Sequence, residues 1–208
     1  MLAKPYTLPL QIQSIHRVGP KLDLYIPKIV SGTNEAAQTK MNEAIVSTVQ
    51  SMLKELGYKP GSKTTDITGF YEIKTNERGM LSIALNIYGY TEHAAHGLTL
   101  IKSLTFDIET GKSYTLGELF APGSDYVKRI SANIQAQIAA RQIETLAPFT
   151  SIRPDQDYYV ADKAIVVYFQ LYEITPYYFG FPMFPISVYE LQDIIPDSSP
   201  LSPMTING

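Results

Sequence analysis

The sequence predicts an α+β fold: a mostly antiparallel sheet with two long helices packed on it. Three observations carry that prediction. Apolar residues alternate at period two through Leu81, Ile83, Leu85 and Ile87, and again through Leu98, Leu100, Leu104, Phe106 and Ile108. That is the mark of strands with one buried face. Apolar residues recur at spacings of three and four through Ala37, Met41, Ala44, Ile45, Val49, Met52, Leu53 and Leu56, the stripe of an amphipathic helix. The order strands, helix, strands then repeats, an echo of two similar halves.

The elements follow in order. Leu8–Ile15 and Leu22–Ile26 alternate on either side of Gly19-Pro20, which reads as a hairpin. Thr33 or Asn34 caps the long helix, Glu35 sits at its positive end, and Gly57 ends it. Strands over 67–75 and 80–90 flank the turn Asn76-Glu77-Arg78-Gly79. On the second of these, Ser82, Ala84, Asn86, Tyr88 and Tyr90 share the face opposite the core, expected to be half-solvated or covered by something small. Ser124 and Asp125 open a second helix with Val127, Ile130, Ile134 and Ile138 on one stripe. Strands over 157–159 and 163–171 and a short closing element over 186–191 complete the chain. The expected organisation is an N-terminal half, 1–95, with its helix over 34–56. A C-terminal half, 96–195, follows, with its helix over 125–142 and an aromatic loop. Residues 196–208 are expected to form a flexible tail.

Composition narrows the function. The 208 residues carry 17 basic and 20 acidic side chains, a net charge of -3, so binding to nucleic acid through a strongly basic surface is not expected. With no Cys, the chain has no disulfide framework, no zinc ribbon and no cysteine nucleophile. The longest uncharged stretch, 174–189, holds Pro176, Pro182 and Pro185 and is too short to span a bilayer. Met1–Leu10 holds Lys4, Pro5 and Pro9 and lacks the apolar run of a signal peptide. The chain is then either cytoplasmic or lacks a leader that was removed.

Three segments carry a family resemblance: Tyr88–Gly97 (YGYTEHAAHG), Leu104–Phe120 (LTFDIETGKSYTLGELF) and Tyr168–Leu191 (YFQLYEITPYYFGFPMFPISVYEL). Together they resemble the extracytoplasmic domain of the RsiV-type, lysozyme-sensing anti-sigma factors. Related Gram-positive envelope proteins share this pair of domains of unknown function, and one of the pair also occurs in the peptidoglycan deacetylase PdaC. Ala95-His96-Gly97 matches the end of the family's glycine-rich loop, whereas Glu92-His93-Ala94 replaces its glycines. Leu104 to Asp107, Thr110 to Lys112, Leu119, Phe120, Tyr172 to Ile174 and Gly180 also match. The resemblance implies an extracytoplasmic, non-catalytic ligand-binding module without a cofactor, whose partner is lysozyme or another envelope protein or glycan.

Two features compete for the role of a site. His93 and His96 lie three apart after Glu92, but only His16 remains elsewhere. No metal site is therefore expected, and His96 reads as a hydrogen-bonding loop residue. Seven of the 15 Tyr and four of the 8 Phe fall between Tyr158 and Tyr189, so the aromatic excess is local. Within it, Thr175–Pro185 reads as a loop because three prolines oppose ladder pairing. Tyr177, Tyr178, Phe179 and Phe181 there, with His96, are the candidate binding residues. Two readings of the loop stay open: a rigid aromatic contact surface, or a cap folded back over the sheet. No nucleophile elbow or phosphate-binding glycine loop is present. The alternative function is a hydrolase of envelope glycans that uses acidic residues with His96, and a weaker one is a structural spacer.

Overall fold

A computed structural model describes residues 8–206, so Met1–Thr7 and the last two residues of the expected tail lie outside the described residues. Gln11–Gly19 (β1) and Leu22–Ser31 (β2) form the predicted hairpin. Glu35–Glu55 (α1) crosses over to Thr65–Glu77 (β3), which pairs parallel to β2. Met80–Thr91 (β4) and Leu98–Asp107 (β5) then add in antiparallel fashion, giving one sheet in the order β1-β2-β3-β4-β5. A parallel pair needs a crossover, and α1 supplies it.

The start of α1 is fixed three ways. Asn34 Oδ1 accepts the Ala37 N–H at 2.9 Å, Asn34 Nδ2 donates to Glu109 O at 2.7 Å, and Thr33 Oγ1 donates to Ile108 O at 2.6 Å. The cap that ends an orphan N–H also ties the helix to the end of β5. Gly111 makes this close approach: at φ +69° it lies so near α1 that a Cβ would stand 2.6 Å from Ala37 O. One stripe of α1 (Ala37, Met41, Ile45, Val49, Met52) packs on Leu24, Ile67, Leu81, Ile83, Leu85, Ile87 and Phe106.

The second layer is a smaller antiparallel sheet, Tyr158–Ala161 (β6), Ala164–Tyr168 (β7) and Met183–Ser187 (β8), in that order. Tyr126–Ala140 (α2) covers it through Ile130 and Ile134, against Val160, Ile165, Val167, Phe184 and Ile186. The fold is thus α+β and mostly antiparallel, with each long helix on its own sheet. The strand Leu98–Asp107, placed by the sequence in the second half, pairs with β4 in the first sheet.

Two expectations are corrected. The prolines do not keep Thr175–Pro185 wholly out of the ladder, since Met183 to Pro185 pair with β7. The reason is that β8 is an edge strand. The Pro185 carbonyl faces outward and accepts Gln137 Nε2 at 2.8 Å, so the N–H that Pro185 lacks would have faced away from β7 as well. The stretch from 196 to 206 is packed, with Leu201 and Met204 fully buried in the second core and Ser199 Oγ donating to Leu119 O at 2.7 Å. Its prolines and serines shape short turns that seat these two apolar side chains.

The sheets meet along hydroxyls. Ser82 Oγ accepts the Val160 N–H at 3.0 Å, and Thr75 Oγ1 donates to Val160 O at 2.8 Å and accepts the Asp162 N–H at 3.2 Å. Ser103 Oγ donates to Tyr158 O and pairs with the Tyr168 hydroxyl, and Ser82 pairs with Thr105. Ala84, Ile101, Tyr159, Val166 and Tyr168 fill the space between. Burial pushes the Tyr158 and Tyr168 phenols well up, so both are neutral donors at neutral pH.

Leu201→Ala should lower unfolding free energy by about 2–4 kcal/mol in urea titrations, as for a buried leucine; a detached tail would give no change. Glu118 accepts from Thr115 N–H at 2.9 Å and pairs with Lys112 at 3.0 Å, which together hold its carboxyl below the usual range. Its stabilising effect is therefore complete above the free glutamate pKa of about 4.3 and lost as pH falls through the lower folded value. Glu118→Gln should cost below about 1 kcal/mol at neutral pH and remove that part of the acid slope.

Candidate functional site

The β4–β5 loop, residues 92–97, and the segment after β7 meet at one edge of the first sheet. Gly97 is buried against the Tyr88 ring, where a Cβ would stand 2.2 Å from ring atoms. A larger residue here would have to push the Tyr88 ring aside. His96 is exposed beside it, and its Nδ1 faces Gly97 O at 2.8 Å. A carbonyl only accepts, so Nδ1 carries the proton of that bond. In the neutral ring Nε2 then accepts the Tyr172 hydroxyl, 3.3 Å away.

Three rings gather there. The His96 and Tyr177 centroids are 4.7 Å apart, Tyr172 and Tyr177 5.3 Å, and His96 and Tyr172 6.4 Å. All are tilted, the usual arrangement for interacting rings. The Tyr177 hydroxyl also donates to Gly97 O at 3.4 Å.

A polar network holds this cluster from below. Gln170 acts as a substitute strand at the free edge of β5. Its Nε2 donates to Ile101 O at 2.7 Å and its Oε1 accepts the Ile101 N–H at 3.3 Å. Glu173 accepts from Gln170 N–H at 2.7 Å, from Gln156 Nε2 at 3.2 Å and from Arg153. Asp157 accepts from Gln170 Nε2 at 2.9 Å and from Lys102 at 3.4 Å. Between these anchors Tyr172 takes a left-handed conformation at φ 65°. A tyrosine there is uncommon and persists only where its surroundings over-determine it.

The five sequence candidates separate. His96 and Tyr177 come together. Tyr178 is 74% exposed but turns away to donate to Glu144 at 2.7 Å. Phe179 packs on the second core and Phe181 on the cluster between the sheets. Both open readings of the aromatic loop therefore hold in part, Tyr177 and Tyr178 facing out and the two phenylalanines facing in. Sequence reasoning missed Tyr172 and Tyr88. Tyr172 lies inside the third resemblance segment, which could have flagged it; nothing in the spacing announces its left-handed backbone. The acidic residues next to this loop, Asp157 and Glu173, are already engaged as described. Among the described residues no three His, Cys, Asp or Glu side chains are grouped as metal ligands. A cavity of about 640 Å³ elsewhere is lined by other residues, including Lys112, Glu118, Phe120, Tyr126 and Asp155.

The chain is similar to several known proteins in sequence and in fold. Residues 117–189 match the family described as a protein of unknown function, DUF3298. Over 189 residues, 84% of this chain, the sequence is 26% identical to the anti-sigma-V factor RsiV of Bacillus subtilis (strain 168). The match spans 65% of that relative's length. Two solved structures share the fold at 16% identity and a TM-score of 0.70. One is a DUF3298 family member from Bacteroides fragilis NCTC 9343, covering 95% of this chain and 98% of that one. The other is a DUF3298 family protein from Pseudomonas aeruginosa PAO1, covering 98% of each. The chain is thus similar to RsiV over most of its length and to the DUF3298 family over residues 117–189.

Gly97→Ala should displace the Tyr88 ring and cost about 1–3 kcal/mol, as overpacking does. Nuclear magnetic resonance of the variant should show Tyr88 and His96 ring signals shifted together, while the α2 core is unmoved.

Proposed function

We propose that the chain is a non-catalytic sensing module of the cell envelope, extracytoplasmic like the domain it resembles, with an envelope protein as ligand and lysozyme the first to test. The observation that supports this most is the exposed Tyr172–Tyr177–His96 cluster. Its rings face solvent, yet Gly97, Gln170 and Glu173 hold the backbone beneath them. Aromatic anchors fixed before binding lose little entropy on contact, which is how a few residues come to dominate an interface. The likeness to RsiV supports the sensing role.

Calorimetric titration of the purified chain with lysozyme tests the reading. Saturable binding is expected, weakened at least tenfold by Tyr177→Ala and by His96→Ala, about 1.4 kcal/mol or more each. Lys112→Ala, at the other cavity, should change nothing. Absence of heat and of co-elution at about 100 μM, where a ligand of micromolar affinity would saturate, contradicts lysozyme as ligand.

A further inference from the structure

The second sheet covers only part of the first sheet's outer face. It seats on Thr75, Ser82, Ala84, Ile101, Ser103 and Thr105, and the face opens to solvent beyond the buried Asn86. The register builds that open region as a row across four strands: Asp23 opposite Thr68, Thr68 opposite Tyr88, Tyr88 opposite Thr99. Phe70, paired with Asn86, lies on the same face two residues from Thr68. These residues and Tyr25 line a trough of about 360 Å³, within the usual size of small-ligand sites, about 300–1,000 Å³.

Its chemistry is specific. Phe70 is 57% exposed, Tyr25 45% and Tyr88 38%, so three ring surfaces stand in water at a hydrophobic cost. Two are pre-set. Tyr25 is stacked on His16 at 4.2 Å and 3°, and His16 is held by Asp23 at 2.7 Å. Tyr88 is wedged against Gly97. Between the rings, the Thr68 and Thr99 hydroxyls make no hydrogen bond among the described residues. Asn86 uses one amide hydrogen on Glu72 at 3.3 Å, leaving its carbonyl oxygen as acceptor. Asp23 keeps one carboxylate oxygen beyond the His16 bond. No lysine or arginine lines the trough.

We propose that this trough is a subsite for a neutral hexopyranose unit of a glycan. A pyranose has an apolar C–H face, which suits the exposed rings, and a rim of hydroxyls, which suits Asp23, Asn86, Thr68 and Thr99. The lack of a lining cation disfavours phosphorylated or acidic ligands. A protein partner would cover about 800 Å² per side, far beyond this trough. The inference is independent of the protein-sensing reading, since either interaction survives the failure of the other.

The test is a titration of the ¹⁵N-labelled full chain with chitotetraose and with cellotetraose, both neutral. The expected result is saturable shifts with at least one probe, centred on the amides of Thr68, Phe70, Asn86 and Tyr88. Phe70→Ala and Tyr25→Ala, both exposed positions that leave the far-ultraviolet spectrum unchanged, should each weaken binding at least tenfold, and Tyr177→Ala should not. Three results overturn the proposal: no shift with either probe at about 10 mM, above any millimolar dissociation constant; binding indifferent to both variants; or a concentration-dependent dimer in sedimentation that Phe70→Ala abolishes, which assigns the face to a second copy of the chain.

Discussion

The structure depends on a seam of side-chain hydroxyls between two sheets. β6 is laid across the outer face of the first sheet, where no ladder satisfies its inner backbone groups. Ser82, Thr75 and Ser103 do so instead, bonding Val160 N–H, Val160 O, Asp162 N–H and Tyr158 O. Buried backbone groups left unpaired would each cost about 1–3 kcal/mol. The small polar residues on that face are therefore what permit a second sheet to dock, and Ala84 leaves room for Tyr159 and Tyr168 to fill the gap.

The seam also decides what stays open. It occupies the end of the face near Met80 and Thr105, so the end near Tyr88 and Thr99 is uncovered. The same docking brings the segment after β7 to the edge of β5, where Gln170 closes the strand and Glu173 fixes the turn. Tyr172 and Tyr177 then stand over His96. The ring cluster and the trough share one contact, Gly97 against Tyr88. Both surface features thus follow from how one sheet is placed on another.

Much of this was legible in the sequence, because it rests on local periodicity. The α1 stripe, its Asn34 cap and the alternation in β4 each follow from residue spacing. The sequence predicts an outer face of β4 that is half-solvated or covered by something small; it is solvated at Tyr88, but at Ser82 the cover is the whole second sheet. What was not legible depends on distant partners. No local signal says that Pro185 will sit on an edge strand with its missing N–H turned outward, or that Leu201 and Met204 will return to the core. Nor does any spacing show that Phe181 turns inward while Tyr177 turns out, or that Tyr172 adopts a left-handed backbone. The family resemblance marks segments without distinguishing their faces.

Urea unfolding of the Thr75→Val, Ser82→Ala double variant tests the seam most directly. Ser82→Ala removes a hydroxyl and Thr75→Val exchanges one for a methyl group, so the side-chain shapes stay nearly unchanged. The predicted result is one cooperative transition with a loss of about 2–5 kcal/mol, from unpaired Val160 and Asp162 groups, and faster amide exchange at Val160 and Asp162. Unchanged stability, with exchange at Val160 and Asp162 as slow as in the parent, would contradict the claim that these hydroxyls join the sheets.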